Sequence, residues 1–468
     1  MFNIAASRST VAREILGGLT TFMAMSYIIF VQMGLLSSLG MDRGGVMMAT
    51  CIAAGVTCIL MGLLANYPVA LAPGMGENFF FAGIAAMMAT WGAGAAGWQM
   101  ALALTAVAGA LFLALSLVGF RSRVLNAIPD ALKSGIAAGI GLFIATIGFS
   151  YGNLVQSGGA LVSFPGLAHN PIAWLALIGL AITLALLAFR VPGAILLGIL
   201  ATTGLAMLMG QVKLSGGWLI GWPHGLEKTA GGVVPGFAAA WGALFSPHAL
   251  QIVVTIFILF FMMLFDTVGT LVAVASRGGL MVNGKLPRAE RALATDAAGT
   301  VLGAALGTST ITTYIESITG VSVGARTGLA AIVAGVLMLL AMFFQPLAEV
   351  IGGGIQLLDP AGQPVRLPNG APVIKYPMIA PALIVVGAMM LRAIRDIDWD
   401  DATEYLPAFL TVIFTVLAFS IADGIAIGFV SYAFGKLVTG RVRQCPLIVY
   451  IFAALFVVRY AVEALYMH

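Results

Sequence analysis

Two carboxylates in apolar surroundings are the side chains of this 468-residue chain best suited to bind a ligand or carry a proton. Glu316 lies in the polar stretch 307–320, GTSTITTYIESITG, and Asp266 lies in FDTVGTL, deep within a long apolar run. An ionised carboxylate is costly away from water, and taking up a proton removes that cost. Such a residue can accept N–H groups from a ligand or couple proton movement to transport, so inside a membrane it is a functional candidate by default.

A second polar stretch lies far upstream, where residues 70–83 read ALAPGMGENFFFAG. Pro73 and Gly74 interrupt the helix, and Asn78 follows with an amide that can both donate and accept hydrogen bonds. Neighbouring residues on a helix point about 100° apart, so Glu77 and Asn78 cannot both face one cleft squarely. Glu77 is therefore equally suited to contact a ligand or to support the residues that do.

Each candidate also has a structural alternative. Glu316 can serve the dipole of the following half-helix, Asp266 can bond to the neighbouring hydroxyls of Thr267 and Thr270, and Asn78 can cap a helix. Phe79 and Tyr314 adjoin the two stretches, where an aromatic ring can stack on a planar ligand or pack in the core. Thr313 can contact a ligand or satisfy the backbone. Asp296, near a segment end, suits a structural role.

The elements that must position these residues are two broken membrane segments. β-Branched residues such as Thr312 and Thr313 favour a short extended segment. Non-helical backbone at membrane depth is tolerated only where it is buried in protein or lines a cavity. Two interrupted segments at matching places in two halves indicate a transporter's binding site.

Composition indicates an integral membrane protein. The chain is 61% hydrophobic and 9% charged, whereas soluble domains average about 25% charged residues. A net charge of +4 gives no reason to expect nucleic acid. The sequence has no phosphate-binding loop, metal motif or nucleophile triad, so we expect no enzyme activity, no cofactor and no metal.

Apolar segments of about 20 residues predict an all-α polytopic protein of fourteen transmembrane segments, the third and tenth being broken. Lys and Arg concentrate at one side, with Arg8, Arg121, Arg123 and Lys285 among them, which predicts a cytoplasmic N-terminus. Seven segments is an odd number, so the second set enters from the opposite side and the two repeats are inverted. A final apolar helix at residues 446–465 is left over, and whether it spans the membrane stays open.

At these motifs the chain resembles the AzgA-like hypoxanthine/guanine/adenine permeases of the nucleobase–cation symporter (xanthine/uracil permease) family. The shared pieces run in family order from residue 17 to residue 428 and comprise GLTTFMAMSYIIFV, LLANYPVALAPGMGENFFFA, FDTVGTLV, GTSTITTYIES and SIADGIAIGF. The resemblance implies that the broken segments pair as short strands. It also implies a core domain of residues 14–120 and 249–345 and a gate domain of residues 131–210 and 377–439.

The resemblance also implies proton-coupled purine uptake across the cytoplasmic membrane, the inner membrane of a cell with two. Asp266, Glu316 and Asn78 then correspond to base-binding residues, the first two also carrying the proton, and backbone near Phe79 and Ile315 reaches the base. Thr313 joins this set, with Glu77, Thr270 and Tyr314 in support. The implied partners are a purine nucleobase, a proton and the lipid bilayer, and a homodimer is left open.

The chain departs from the family pattern at two places. The family commonly has Leu-Asn-Ala after GMG, where this chain has Glu77, Asn78 and Phe79; it commonly ends the first segment with Asn-Pro, where this chain has Gln32 and Met33. These changes could alter the preferred base. The rival hypothesis is an anion transporter, exchanger or channel of the same fold, which would want a basic residue near the breaks; neither stretch contains one.

Overall fold

A computed structural model of the chain describes residues 2, 4, 7, 9–91, 96–117, 129–157, 162–213, 219–246, 248–281, 286–359, 362–366 and 372–466. Arg8, Arg121, Arg123 and Lys285, used above to predict orientation, lie outside the described residues. The predicted end of the first core region, near residue 120, lies outside them as well.

Helices dominate the described part of the chain. Those of the first half are α1 (Val11–Met25), α2 (Tyr27–Ser37), α3 (Arg43–Leu60, extended by a π-helix to Ala65), α4 (Met75–Ala89), α5 (Gly97–Leu117), α6 (Asp130–Tyr151), α7 (Pro171–Ala188), α8 (Ala194–Leu208) and α9 (Val233–Ala243). Those of the second half are α10 (Ala249–Gly278), α11 (Ala289–Leu306), α12 (Ser317–Ser322), α13 (Gly328–Ala341), α14 (Gln345–Gly353), α15 (Ala380–Met390), α16 (Ala402–Leu417), α17 (Ile421–Val438) and α18 (Leu447–Tyr466).

Three antiparallel strand pairs accompany these helices in the described residues. The pair β1 (Leu71–Pro73) and β4 (Ile311–Thr313) joins distant parts of the chain. The pairs β2 (Gln156–Ser157) with β3 (Val162–Ser163), and β5 (Ile355–Gln356) with β6 (Ile374–Lys375), are short ribbons in connecting segments. The sequence predicted the first pair but not the other two.

Eight helical stretches in the described residues are long and apolar enough to cross a membrane. They are Val11–Ser37, Arg43–Ala65, Gly97–Ser116, Asp130–Tyr151, Pro171–Ala188, Ala249–Gly278, Gly328–Gly353 and Ile421–Val438. Four shorter apolar helices, at Met75–Ala89, Ala194–Leu208, Ala402–Leu417 and Leu447–Ala461, accompany them. The fold is therefore that of a multi-pass membrane protein, and the count of fourteen segments remains a prediction.

The helices pack in two groups. In the first group α3 packs on α13 and α11, α5 packs on α11 and α4, and α1 packs on α13 and α12. In the second group α6 packs on α15 and α16, α16 packs on α17, and α7 packs on α8. The β1–β4 pair belongs to the first group, since β1 contacts α3 while β4 contacts α10 and α11.

The C-terminal apolar run, which the sequence could not place, is the helix α18. It packs against α17 and α10. Phe452 is buried between them, with ring centroids 4.4 Å from Phe257 of α10 and 5.6 Å from Phe429 of α17. Leu447 and Val458, in contrast, are exposed. One face of α18 therefore contacts both helix groups.

Glycines allow α3 and α13 to pack with their backbones in contact. A Cβ atom added at Gly335 of α13 would lie 2.6 Å from the carbonyl oxygen of Gly55, and one at Gly328 would lie 2.2 Å from the carbonyl oxygen of Gly62. Real Cβ atoms essentially never approach backbone so closely. Small residues are the usual means of close packing between membrane helices, and here they hold α13 against the helix that precedes β1.

We predict that Gly335→Ala destabilises the protein by about 1–3 kcal/mol, the usual range for an overpacked contact. The added methyl group must push α13 away from the Gly55 carbonyl. The matched control is Gly204→Ala in α8, where an added Cβ meets nothing within 4 Å. Thermal unfolding of the purified protein in detergent measures both, and equal unfolding temperatures for the two variants would contradict the packing argument.

Candidate functional site

The two broken segments meet as an antiparallel strand pair in the interior of the protein. Leu71 pairs with Thr313, and Pro73 pairs with Ile311. Backbone hydrogen bonds extend the pair at both ends, from Gly74 N to Thr310 O at 3.1 Å and from Tyr314 N to Ala70 O at 2.9 Å. Every residue of both strands is buried. The pairing predicted for the third and tenth segments is therefore confirmed.

Side chains satisfy the backbone groups that point away from the strand pair. Pro73 and Ile311 face each other at a position without interstrand hydrogen bonds, because the bonds of an antiparallel pair involve alternate residues. The hydroxyl of Thr300, on α11, donates to Ile311 O at 2.8 Å and accepts from Ile311 N at 3.1 Å. On the other strand, the hydroxyl of Tyr314 donates to Pro73 O at 2.5 Å. The backbone at the break is thus satisfied although the helix is interrupted.

Glu316 is buried where the second broken segment returns to helix. It is the N-cap residue of α12, a helix of six residues that ends at Ser322. The helix ends early because the chain turns through Gly324 at φ +111°. Tyr27 of α2 donates a hydrogen bond of 2.7 Å to Glu316 Oε1. The carboxylate is therefore held by a hydroxyl.

Asp266 lies on α10 beside strand β4. Its Oδ2 atom accepts a hydrogen bond of 3.2 Å from the hydroxyl of Thr312. Thr267 shares a further hydrogen bond of 3.1 Å with Thr312 and donates to Asp296 Oδ2 at 2.7 Å. Asp296 and the half-buried Asp266 are thus linked through the hydroxyls of Thr267 and Thr312.

Asn78 lies in the first turn of α4 and is fully buried. Its Oδ1 atom accepts a hydrogen bond from the hydroxyl of Ser309, just before β4. Its Nδ2 atom has no hydrogen-bond partner in the described residues. An unpaired buried donor costs about 1–3 kcal/mol, which makes this N–H group a candidate contact for a ligand.

Glu77 is buried beside the same strand pair. A Cβ atom added at Gly74 would lie 2.2 Å from Glu77 Oε2, so the glycine at the break provides the space for this carboxylate. Glu77 and Asp266 are close enough to interact electrostatically, as are Asp266 and Glu316. None of the salt bridges among the described residues includes any of these three acids. The site is thus acidic, with hydroxyl partners in place of basic ones.

The other predicted residues surround this centre in different ways. The hydroxyl of Thr313 donates a hydrogen bond of 3.2 Å to the backbone oxygen of Thr267. This is the second of the two roles predicted for Thr313, which was to contact a ligand or to satisfy the backbone. Thr270 is buried one helical turn after Asp266, and Ile315 is half-buried beside Glu316. The ring of Tyr314 lies 6.4 Å from that of Tyr27, centroid to centroid. Tyr314 therefore supports both the break and the surroundings of Glu316.

Phe79 connects the site to a neighbouring cavity of about 280 Å³. Its ring packs edge-on against Phe143 of α6 at 5.9 Å, and Phe143 contacts Phe419 at 4.8 Å. The polar end of the cavity includes Asp423 and Arg459, whose charged atoms are 3.5 Å apart. The cavity lies between the two helix groups, with Phe79 on the side of the candidate site.

Sequence reasoning did not assign the site contacts of Tyr27, Gln32 and Ser309. Nothing in the sequence identified the partners of these three residues. The available signal was the occurrence of Tyr27 and Gln32 in an otherwise apolar run. In the described residues no cluster of three or more His, Cys, Asp or Glu side chains could hold a metal ion.

These features define a multi-pass membrane protein with a buried, acidic, hydroxyl-rich site at two paired helix breaks. Residues 12–356 match the family model described as "Permease family" (Xan_ur_permease). The chain therefore belongs to this permease family, whose members are transporters, not enzymes.

Two relatives and one solved structure extend the comparison. Guanine/hypoxanthine permease PbuG of Bacillus subtilis is 39% identical over 95% of this chain and 94% of its own length. Adenine permease AdeQ of Escherichia coli is 38% identical over 98% of this chain and 95% of its own length. The transmembrane domain of BicA, a cyanobacterial bicarbonate transporter, superposes with a TM-score of 0.59 at 14% identity, covering 89% of this chain and 96% of that domain. This last similarity concerns the fold alone.

We predict that Thr300→Val destabilises the protein by about 1–3 kcal/mol, although valine has nearly the same shape as threonine. The substitution leaves the Ile311 N–H and C=O groups buried without the hydroxyl that bonds both. Thr300→Ser retains that hydroxyl and is the control. Thermal unfolding measures the difference, and a Val variant as stable as the Ser variant would show that the hydroxyl does not support the break.

Proposed function

We propose that this protein is a secondary active transporter that takes up purine nucleobases together with protons. The observation that carries the proposal is the acidic site at the paired breaks, in a chain whose relatives PbuG and AdeQ are named guanine/hypoxanthine and adenine permeases. Purine bases are planar and present ring N–H groups beside acceptor atoms. Carboxylates, an amide and an aromatic ring around one site provide the complementary groups.

In this proposal Glu316 accepts N–H groups of the base. Charge-assisted hydrogen bonds are roughly twice as strong as neutral ones, and Tyr27 occupies Oε1 while leaving Oε2 available. Asp266 binds another edge of the base or carries the coupled proton. The Asn78 amide forms a hydrogen bond with a carbonyl or amino group of the base. Backbone near Phe79 and Ile315 completes the contacts, and the Thr313 hydroxyl reaches the base only by leaving Thr267.

Proton coupling is proposed because none of the salt bridges in the described part of the chain includes Glu77, Asp266 or Glu316. A carboxylate in a low-dielectric interior is stabilised by a cation, a proton or strong hydrogen bonds. Tyr27 and Thr312 supply one hydroxyl each to Glu316 and Asp266. One hydroxyl does not offset the cost of keeping each of two neighbouring carboxylates charged in the interior, so the uptake of a proton is favoured. Asp266 and Glu316 are therefore the proposed proton carriers.

At the level of the fold, we propose fourteen segments in two inverted repeats, with a cytoplasmic N-terminus in the cell membrane. The core domain comprises residues 14–120 and 249–345, and the gate domain comprises residues 131–210 and 377–439. The antiparallel pairing of β1 with β4 supports this scheme, since inverted repeats bring equivalent segments together in opposite directions. Movement of the core against the gate would expose the site to each side in turn.

The anion-transporter hypothesis is not favoured. BicA shares the fold, but a shared fold does not establish a shared substrate. An anion site needs a positive group, and residues 69–83 and 307–320 contain no Lys or Arg. The three acids at the breaks would repel an anion.

We predict that Glu316→Gln lowers uptake of radiolabelled hypoxanthine, guanine or adenine by at least about tenfold, because it replaces a charged acceptor by a neutral amide. Asp398→Asn, in an exposed linker, is the charge-matched control. Uptake is compared at equal amounts of protein in the membrane. Full uptake by the Glu316 variant would exclude this residue from the binding site.

We predict that purified protein in liposomes accumulates the base when the outside is made acidic, and that a protonophore abolishes the accumulation. A coupled proton moves with the base, so dissipating the gradient removes the driving force. Anion-dependent current without base uptake would instead support the rival hypothesis. Liposomes that contain the Glu316→Gln variant control for leakage of base and protons through the lipid.

A further inference from the structure

A chain of hydrogen bonds connects the first segment to the free amide of Asn78. Gln32, on α2, donates from Nε2 to Ser309 Oγ at 2.9 Å. Ser309 in turn donates its hydroxyl to Asn78 Oδ1. Gln32, Ser309 and Asn78 are all fully buried, so solvent cannot replace either bond. The three side chains form one relay that ends at the candidate site.

The donor-to-acceptor direction of these hydrogen bonds determines whether Asn78 directs its oxygen or its NH₂ group toward the candidate site. A serine hydroxyl has a single proton to donate. Because Gln32 fills an acceptor position on Ser309, that proton is directed to the carbonyl oxygen of Asn78. The Asn78 amide is thereby oriented with its NH₂ group away from Ser309, and this Nδ2 atom is the one without a partner.

We propose that Gln32 is a positioning residue that makes Asn78 a hydrogen-bond donor to the transported base. Asn78 then selects bases with an acceptor at the facing position, a carbonyl oxygen or an unprotonated ring nitrogen. This inference rests on the proposed function, since it takes Asn78 as a base ligand. Gln32 of α2 would thus influence which base is bound without contacting the base itself.

A second branch from Gln32 provides an internal control. The same Nε2 atom donates to Thr308 Oγ1 at 3.0 Å, and Thr308 shares a hydrogen bond of 3.1 Å with Thr50 of α3. This branch ends on α3 and does not reach Asn78. Thr50→Val therefore disturbs a buried hydroxyl bonded to the same network while leaving the Gln32–Ser309–Asn78 relay intact.

The test measures inhibition of labelled-base uptake by purine analogues that each lack one acceptor, at O6, N7 or N3. In the wild-type protein one such analogue should inhibit about tenfold more weakly than its parent base, as expected for one lost hydrogen bond. Gln32→Met and Ser309→Ala should each remove most of that difference, because Asn78 is then free to turn its oxygen toward the base. Thr50→Val should retain the difference.

Combining variants separates positioning from a general loss of structure. In an Asn78→Ala background the discrimination is already lost, so adding Gln32→Met should change it no further, whereas independent effects would add. Discrimination that persists in Gln32→Met and Ser309→Ala would overturn the relay, as would an equal loss of inhibition by every analogue. If the wild-type protein takes up no purine base, the proposed function fails; if it takes up base without discriminating these analogues, only the relay fails.

Discussion

The pairing of β1 with β4 is the constraint on which the candidate site depends. Interrupting a helix at membrane depth leaves N–H and C=O groups that lipid cannot satisfy. Two interrupted segments satisfy each other when they pair as antiparallel strands, here with Pro73 opposite Ile311. Thr300 bonds both outward-facing backbone groups of Ile311, and Tyr314 donates to the carbonyl oxygen of Pro73. The site residues then follow from the pairing: Asn78 and Glu316 lie just after the two strands, and Asp266 contacts β4.

A second constraint concerns charge. Hydroxyl groups bond to Asp266 and Glu316, and Gly74 leaves the space that Glu77 occupies. None of the salt bridges among the described residues includes these three acids. A salt bridge would fix each acid permanently in its charged form and occupy its acceptor atoms. Hydroxyls stabilise a carboxylate without neutralising it. In the proposed function, this arrangement leaves the acids able to take up a proton and to accept N–H donors.

The sequence predicted the parts of this arrangement that local chemistry determines. Pro73 and Gly74 revealed one break and the Thr-rich run before Glu316 revealed the other, because these residues oppose helix formation by themselves. It could not predict that Tyr27 bonds to Glu316 or that Gln32 bonds to Ser309, since those partners are 289 and 277 residues apart. It also did not predict the helix α9 or the β5–β6 ribbon.

The long-range bonds of α2 add an argument about how the site can move. Tyr27 and Gln32 are five residues apart, about 7.5 Å along a helix, and they contact opposite ends of the stretch that runs from Ser309 to Glu316. The helix α2 therefore runs alongside the broken segment and is bonded to it on both sides of strand β4. Since β4 is in turn paired with β1, a displacement of one break relative to the other would break several buried hydrogen bonds at once. In the proposed transport cycle these groups would therefore move together, and access would change at their contacts with other helices, such as that between Phe79 and Phe143.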